Sequence, residues 1–449
     1  MDQVNTAHLA ADLVKRLKSR TARLGIIGMG YVGLPLAIAA HNAGFKVIGF
    51  DVDLQKVAII NAGESPIRSI ATQSVAAMVG SGRFHATVDY GELNEIDALM
   101  ICVPTPLSRY RDPDLSFIEK TGASIASRLR PGQLIVLESS TYPGTTREVL
   151  QPILERGGLK AGVDYFLGYA PEREDPGNPD FETTTIPRVV GADDVHSAAA
   201  MAALYSEVVG TVVPVSSCAT AEAVKLTENI FRAVNIALVN ELKVIYRKMG
   251  VDIWEVIEAA KSKPFGYMAF YPGPGIGGHC IPIDPFYLTW KAREFEVPTR
   301  FIELAGEINA EAPRQVVTSL TEALSSKCRR SMNGARILLM GMAYKKNVDD
   351  MRESPSLRIL EMLEGHGAEV GYYDPFIPVI PRTREHAALA GRKSIPWERH
   401  AVESFDAALI CTDHDGVDYE SLVNWSKLVV DTRNVTRPLT VGRGKIVSA

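Results

Sequence analysis

The chain has 449 residues, which is too long for one hydrophobic core, so we expect two or three domains. With 46% hydrophobic residues, 22% charged residues and a mean hydropathy of +0.02, its composition is typical of a soluble globular protein. The net charge of −5 provides no positive field for nucleic acid, so any anionic ligand must bind at a local basic site.

The five cysteines are scattered and form no CxxC pair. This pattern speaks against a disulfide framework or a zinc site, and we expect a reducing cytoplasm and no bound metal. The first residues have mixed charge, and no run of about eighteen apolar residues occurs in the chain. We therefore expect neither export nor a membrane span.

A short helix and a glycine-rich turn are predicted at the start of the chain. Leucines four residues apart indicate a helix over residues 7–19. The segment LGIIGMGYVGLPLAIAAHNAGFKVIGF then gives a strand, a G-x-G-x-x-G turn formed by Gly28, Gly30 and Gly33, a helix, and a second strand that ends at Asp51. This order is typical of a dinucleotide site, and the alternative is a structural glycine turn.

Each residue of this turn has a mechanical role in dinucleotide binding. Gly28 makes the tight turn, Gly30 lets the backbone approach a pyrophosphate, and Gly33 lets the helix pack against the strand. A carboxylate at Asp51 would accept hydrogen bonds from ribose hydroxyls and repel a 2′-phosphate. We therefore predict NAD, and not NADP, as the cofactor.

Two further apolar strands are predicted at residues 98–103 and 134–137, and each is followed by a polar loop. These loops carry Thr105, Glu138 and Thr141. Ligands bind at the carboxyl ends of parallel strands, so we expect these side chains near the cofactor, although each could instead be a helix cap. The charged segment PEREDPGNP, which comes later, is predicted to be a ligand loop.

A long helix is predicted over residues 219–249, where Lys225 and Asn229 lie one turn apart on the same face and Arg232 lies near that face. A solvated surface is the usual explanation for a lysine in a helix. The mostly apolar residues that follow make a buried functional face an equally good interpretation.

The segment PGPGIGGHCIPIDPFYL, residues 272–288, combines four glycines and two prolines with Cys280 and Asp284. Such a segment is predicted to be a loop whose backbone approaches a ligand closely. Cys280 could be a packed small hydrophobic residue, which is the common state of a free cysteine. The glycine-rich loop and the nearby carboxylate favour a chemical role.

From residue 334 the chain repeats the order strand, turn, helix, strand, and two more strands follow. It has no glycine fingerprint here, so it need not bind a dinucleotide in the same way. A charged loop could face a diphosphate or could simply be solvated; it contains Lys345, Lys346, Asp349, Asp350 and Arg352.

These patterns predict an α/β protein with two doubly wound, Rossmann-like domains joined by a long central helix and a helical domain. We place an NAD-binding domain at residues 1–212, a central helical domain for dimerisation and catalysis at 213–320, and a C-terminal substrate-binding α/β domain at 321–449.

Taken in order, six segments resemble the UDP-glucose/GDP-mannose dehydrogenase family, which comprises nucleotide-sugar 6-dehydrogenases: GIIGMGYVGLPLA, STYPGTT, KLTENIFRAVNIALVNE, GGHCIPIDP, GMAYKKNVDDMRESPS and DTRN. The resemblance covers nearly the whole chain. It implies a cytoplasmic, NAD-dependent enzyme that oxidises a UDP-hexose to the UDP-hexuronate for surface polysaccharide synthesis. The long central helix, which is apolar on several faces, indicates a homodimer or a larger homo-oligomer.

The resemblance assigns nucleophilic attack on an aldehyde to Cys280 and assistance of water to Asp284, with Lys225, Asn229, Thr141 and Glu172 as further catalytic residues. We expect cofactor contacts from Gly28, Gly30, Tyr31, Val32, Gly33, Asp51, Thr105, Thr141 and Arg352. We expect substrate contacts from Glu172, Arg173, Lys225, Asn229, Arg232, Tyr271, Gly277, His279 and Lys346.

Two segments depart from the UDP-glucose branch of the family. Pro176 stands where that branch has a second glutamate, so Glu174 or Asp175 would have to replace it. The segments PEREDPGN and GGHCIPIDPFYL resemble the branch that oxidises UDP-N-acetylhexosamines. We predict UDP-N-acetylglucosamine as the substrate, with UDP-N-acetylmannosamine or UDP-glucose as alternatives.

The chemistry explains why a cysteine is needed. Oxidation of a primary alcohol to a carboxylate removes four electrons, and NAD accepts one hydride at a time, so two NAD molecules react in sequence. A thiohemiacetal on Cys280 would hold the substrate between the two steps, and a thioester would then be hydrolysed. A two-electron hydroxyacid dehydrogenase and a non-catalytic NAD-binding protein are the rival interpretations, and neither needs this cysteine.

Overall fold

A computed structural model describes residues 2–108, 110–173, 183–278, 281–383 and 386–449. The chain divides into two units. The first comprises Met1–Glu228 and Phe286–Val297, and the second comprises Asn229–Pro285 and Pro298–Ala449.

The first unit is built on one sheet with the strand order β3-β2-β1-β4-β5-β6-β7-β8. Its strands are β1 Arg23–Ile27, β2 Lys46–Phe50, β3 Phe84–Thr87, β4 Ala98–Ile101, β5 Leu134–Leu137, β6 Phe166–Tyr169, β7 Arg188–Ala192 and β8 Val212–Val215. All neighbouring strands are parallel except β6 and β7. The first six strands have the dinucleotide-binding order, with the switch point between β1 and β4.

The helices of this unit cover the sheet. They are α1 Asp2–Lys18, α2 Gly33–Asn42, α3 Leu54–Asn61, α4 Thr72–Gly80, α5 Ser116–Ala126, α6 Gln151–Leu154 and α7 Val195–Val208. A π-helical turn, Thr146–Leu150, precedes α6. Strands β4 to β7 are buried along their whole length, because parallel sheets of this type carry helices on both faces.

The long helix α8, Cys218–Met249, starts in the first unit and continues into the second. It is followed by α9 Ile253–Lys261, α10 Asp284–Glu294 and α11 Arg300–Ala323. Because α10 begins at Asp284, the last residues of the predicted glycine-rich loop are helical. A helix can start there because Asp is favourable in a first turn and Pro285 lacks only an N–H that the first turn does not use.

The second unit contains a five-stranded parallel sheet with the order β10-β9-β11-β12-β13. Its strands are β9 Arg336–Met340, β10 Glu369–Tyr373, β11 Ala407–Ile410, β12 Val429–Asp431 and β13 Ile446–Ser448. Its helices are α12 Pro355–Gly365, α13 Arg399–Glu403 and α14 Tyr419–Trp425. This is the second common doubly wound order, so the prediction of two Rossmann-like domains with a helical region is confirmed.

Candidate active site

The turn after β1 requires its glycines. Gly28 has a φ of +94°, and a Cβ there would lie 2.5 Å from the carbonyl oxygen of Cys102. A Cβ on Gly33 would lie 2.0 Å from the carbonyl oxygen of Gly28. A Cβ on Gly30 would have no described atom within 4 Å, so the backbone at Gly30 borders open space. This is the geometry that a pyrophosphate needs at the N-terminus of a helix, here α2.

Asp51 follows β2 and is buried. Its Oδ2 accepts hydrogen bonds from the Met29 backbone N–H at 2.9 Å and from Lys56 Nζ at 2.8 Å, and its Oδ1 accepts from the Asp53 N–H at 3.0 Å. Sequence reasoning missed Lys56, which lies in the first turn of α3. The open space at Gly30 and this carboxylate fit the pyrophosphate and a ribose of NAD.

Four other predicted cofactor residues lie in the loops that follow strands of the first unit's sheet. Tyr31 and Val32 are half-buried just before α2. Thr105 is buried, and its carbonyl oxygen accepts a hydrogen bond from Tyr287 Oη at 2.6 Å. Thr141 is fully buried, and its hydroxyl has no hydrogen-bond partner among the described residues. A buried hydroxyl in this state is available to a ligand.

Glu222 on α8 fixes the loop that carries Thr141. Its carboxylate accepts hydrogen bonds from the Gly144 N–H at 2.5 Å, the Thr146 N–H at 2.8 Å and the Thr146 hydroxyl at 2.6 Å. Burial raises the pKa of the Glu222 carboxyl to about 7, against these hydrogen bonds, which favour the ionised form. Sequence reasoning did not identify this residue.

Three predicted substrate residues lie together in the first unit. Lys225 is 7% exposed, and its Nζ donates to the backbone oxygen of Glu172. The Glu172 carboxylate pairs with Arg188 at 3.0 Å. Arg173 pairs with Glu228, with 2.5 Å between Nη2 and Oε1. The lysine is therefore held against the loop that carries the predicted acid.

Within the second unit, Asn229 and Asp284 form a buried pair. The Asn229 Nδ2 donates to the Asp284 Oδ2 at 2.6 Å, and Asp284 is 1% exposed. Arg232, one turn along from Asn229, is exposed. The structure therefore brings together two of the predicted catalytic side chains.

The glycine-rich loop of the second unit packs tightly against its surroundings. The Gly273 N–H donates to Asn240 Oδ1 at 3.0 Å, and the Gly278 N–H donates to the Arg352 carbonyl oxygen at 3.0 Å. A Cβ on Gly277 would lie 2.6 Å from Tyr344 Cβ, so a larger residue cannot replace it without displacing that tyrosine.

Several predicted residues cannot be placed. His279 and Cys280 lie outside the described residues, as do Glu174, Asp175 and Pro176.

Three other predicted ligand contacts are held by carboxylates. Lys346 Nζ lies 3.1 Å from Asp415 Oδ1, Arg352 pairs with Asp350 at 2.6 Å, and the exposed Tyr271 donates to Glu258 at 2.6 Å. Binding of an anion by Lys346 or Arg352 would therefore compete with an existing ion pair.

Asp374, after β10, corresponds in position to Asp51 after β2. It is 1% exposed and accepts hydrogen bonds from the Met342 N–H at 2.6 Å, the Ala343 N–H at 3.0 Å and His414 Nε2 at 3.1 Å. Asp374 therefore accepts from the loop after β9 much as Asp51 accepts from the Met29 N–H after β1.

Among the residues that the structure describes, no group of three His, Cys, Asp or Glu side chains is arranged to hold a metal ion. No helix among those residues combines the length and the apolar character needed to cross a membrane.

Three domain models of one family match the chain: the NAD-binding domain of the UDP-glucose/GDP-mannose dehydrogenase family at residues 22–209, its central domain at 219–311 and its UDP-binding domain at 338–438. A UDP-N-acetyl-D-mannosamine dehydrogenase from Pyrococcus horikoshii is 34% identical over 94% of this chain and 97% of its own. A UDP-N-acetyl-D-glucosamine 6-dehydrogenase from Pseudomonas aeruginosa is 35% identical over 81% of this chain and 85% of its own.

The solved structure of the P. horikoshii UDP-N-acetyl-D-mannosamine dehydrogenase matches with a TM-score of 0.85 at 34% identity and covers 95% of this chain and 98% of that one. With the three domain matches, these similarities establish that the chain belongs to the UDP-glucose/GDP-mannose dehydrogenase family and is an NAD-dependent UDP-sugar dehydrogenase.

Proposed function

We propose that the enzyme oxidises the C6 alcohol of a UDP-N-acetylhexosamine to the carboxylate, that UDP-N-acetylglucosamine is its preferred substrate, and that Cys280 holds the substrate covalently between the two oxidations. When bound, NAD accepts one hydride per molecule, so each product consumes two. The backbone at Gly28 and Gly30, the carboxylate of Asp51 and the hydroxyl of Thr141 would hold it.

Cys280 would act on the aldehyde that the first oxidation forms. Its thiolate adds to the carbonyl carbon, and the resulting oxyanion takes up a proton to give a thiohemiacetal. Loss of hydride and of the hydroxyl proton then gives a thioester. Water attacks the thioester carbon and the carbon–sulfur bond breaks; one water proton goes to the departing sulfur and the other to a base. The carboxylate product leaves, and the Cys280 thiol is regenerated.

The remaining proposed residues serve these steps. Asp284, oriented by Asn229, would position and deprotonate the attacking water. Lys225 carries positive charge that would stabilise the oxyanions. Glu172 supplies a second carboxylate for proton transfer, and Thr141 a hydroxyl. The hydrogen bond between Asn229 and Asp284 is the observation that supports this scheme most directly, because it brings together two residues to which the family resemblance assigns catalytic roles.

The choice of substrate rests on the segments PEREDPGN and GGHCIPIDPFYL and on relatives of both N-acetylhexosamine types. UDP-N-acetylmannosamine is the second candidate, because the P. horikoshii relative carries that name. We propose substrate contacts from Arg173, Arg232, Tyr271, Gly277, His279 and Lys346, and cofactor contacts from Tyr31, Val32, Gly33, Thr105 and Arg352.

We further propose that the domains at residues 1–212, 213–320 and 321–449 serve NAD binding, dimerisation with catalysis, and UDP-sugar binding, in a cytoplasmic homodimer or larger homo-oligomer. The dimer is supported by apolar side chains seven residues apart on α8: Phe231, Leu238 and Ile245 are 47%, 50% and 44% exposed. Such a stripe is typical of a helix that packs against another surface.

The test is a comparison of kcat/KM for UDP-N-acetylglucosamine, UDP-N-acetylmannosamine and UDP-glucose at saturating NAD. We expect UDP-N-acetylglucosamine to be preferred over UDP-glucose by about a hundredfold or more, because polar groups built for an acetamido group stay unpaired with glucose. A preference for UDP-N-acetylmannosamine would select the second candidate, and a preference for UDP-glucose would refute the proposed substrate class.

A further inference from the structure

A buried charged cluster lies behind Glu172 in the first unit, and the scheme above does not use it. Arg188 is the first residue of β7 and is 3% exposed. Glu138 directly follows β5 and is 1% exposed. Tyr205 on α7 is also buried. The three residues come from separate parts of the fold, and the side chains of Glu138 and Tyr205 lie against the Arg188 guanidinium group.

The Arg188 guanidinium fixes the Glu172 segment at two points. One end group, Nη2, lies 3.0 Å from Glu172 Oε2, and the other, Nη1, donates to the Pro171 carbonyl oxygen at 2.9 Å. Two nitrogens of one planar group therefore hold this segment: a hydrogen bond holds the Pro171 backbone, and opposite charge at contact distance holds the Glu172 carboxylate.

The same guanidinium also faces a second carboxylate. Arg188 Nη1 lies 3.7 Å from Glu138 Oε2, while Tyr205 Oη donates a hydrogen bond to Glu138 Oε1 and the Tyr205 ring lies 5.6 Å from the guanidinium. The carboxylates of Glu138 and Glu172 therefore share the Arg188 guanidinium. If both are ionised, the buried group carries a net negative charge, and each carboxylate disfavours ionisation of the other.

We propose that Arg188 is a positioning residue for Glu172, and that Glu138, which shares the same guanidinium, sets the pH above which Glu172 becomes ionised. This inference rests on the proposed role of Glu172 in proton transfer. Burial raises the pKa of Glu138 to about 7, which fits two carboxyls that compete for one cation near neutral pH.

Other titratable groups also face this cluster. Desolvation, and then Glu138 and Glu172, raise the pKa of the half-buried Cys102 thiol, and burial likewise raises the pKa of the Tyr205 phenol. Lys225 Nζ donates to the Glu172 backbone oxygen. We expect the thiol and the phenol to stay neutral across the range in which the carboxyls titrate.

Two variants should move the pH profile in opposite directions. Glu138→Gln removes the competing negative charge and keeps an oxygen that can accept from Tyr205. The acidic limb of the kcat profile should therefore shift to lower pH by about one unit. The double variant Glu138→Gln/Arg188→Gln removes the cation as well, and the acidic limb should shift above that of the wild type. General loosening of the fold would not produce opposite shifts.

The double variant is preferred to Arg188→Gln alone, since the single change would leave two buried carboxylates without their cation and endanger folding. A matched control is Asp97→Asn. Asp97 is another buried carboxylate of the first unit, just before β4, and it is held by Arg16 and Arg130, each at 2.6 Å. This control should lower the thermal midpoint and leave the acidic limb in place.

Glu172→Gln separates this inference from the function on which it rests. If Glu172→Gln keeps the wild-type kcat at all pH values, the proposed role of Glu172 is wrong, and the inference falls with it. If Glu172→Gln is inactive but the acidic limb of Glu138→Gln coincides with that of the wild type, only the inference is overturned. A downward shift in Glu138→Gln, with an inactive Glu172→Gln and an unmoved control, is the result we expect.

Discussion

The side-chain amide of Asn229 and the carboxylate of Asp284 are joined by a 2.6 Å hydrogen bond, although the two residues are 55 positions apart in the chain. Asn229 lies on α8 and Asp284 is the first residue of α10, and both are buried. The Asn229 amide donates to one oxygen of the Asp284 carboxylate and so fixes the orientation of that side chain. A residue that acts on water requires a fixed orientation of this kind.

Asp284→Asn is therefore expected to lower kcat by about a hundredfold or more while NAD binding changes little. The replacement keeps the shape of the side chain and removes only the negative charge. The measurement is steady-state kinetics together with NAD titration and thermal unfolding. A kcat within a few-fold of the wild type, in a folded variant, would remove Asp284 from the chemical steps.

Asp51→Ala is expected to weaken the discrimination against NADP. The change removes the carboxylate that would repel a 2′-phosphate. It also removes the partner that lies 2.8 Å from Lys56 Nζ, so the Lys56 cation becomes free to attract a 2′-phosphate. The ratio of kcat/KM for NADP to that for NAD should rise by about tenfold or more. Lys56→Ala is the control and should not raise this ratio. An unchanged ratio in Asp51→Ala would contradict the ribose assignment.

Glu222 gives a pH-dependent contribution to stability whose sign can be worked out. Its pKa in the folded protein is raised from 4.5 to about 7, so the folded state binds a proton more tightly than the unfolded state. The contribution is complete below the unfolded pKa and is lost as the pH rises through about 7. Thermal midpoints of the wild type should fall relative to Glu222→Gln between these pH values. If the thermal midpoints of the wild type and Glu222→Gln changed with pH in parallel, the raised pKa of Glu222 would be contradicted.

Lys243 on α8 is 8% exposed and lies near the cations Arg247 and Arg433. Its pKa is lowered to about 8, mainly by burial and to a smaller extent by these two positive charges. In the folded protein it holds its proton less tightly than in the unfolded chain, so stability should rise with pH between about 8 and 10.5. Lys243→Met should raise stability at pH 7 by roughly 3 kcal/mol and remove this rise. Equal unfolding midpoints for the two proteins at pH 7 would contradict the prediction.

The dinucleotide-binding half of the fold was predictable because its signals are local. Gly28, Gly33 and Asp51 lie within one strand-helix-strand segment, and each has a conformational or chemical requirement that a single residue type meets. The salt bridge from Lys56 was also local, but nothing in the sequence distinguishes a lysine that pairs with the acid from one that is solvated.

The cluster of Glu138, Arg188 and Tyr205 was not predictable in the same way. These residues belong to separate elements, and their contacts depend on the sheet order and on where β5, β7 and α7 end. The start of α10 at Asp284 was missed for a related reason, because the preceding glycines and prolines predicted a loop and the first helical residues carry the same turn-forming types.

A four-electron oxidation with the substrate held on Cys280 fixes the number of NADH molecules formed per UDP-sugar, and this ratio can be measured. A limiting amount of UDP-N-acetylglucosamine is converted completely with excess NAD, and NADH is measured by absorbance while UDP-sugar products are separated and quantified. We expect two NADH per UDP-sugar consumed and no free aldehyde, because the intermediate stays attached to sulfur. One NADH per sugar with accumulation of the aldehyde would contradict it.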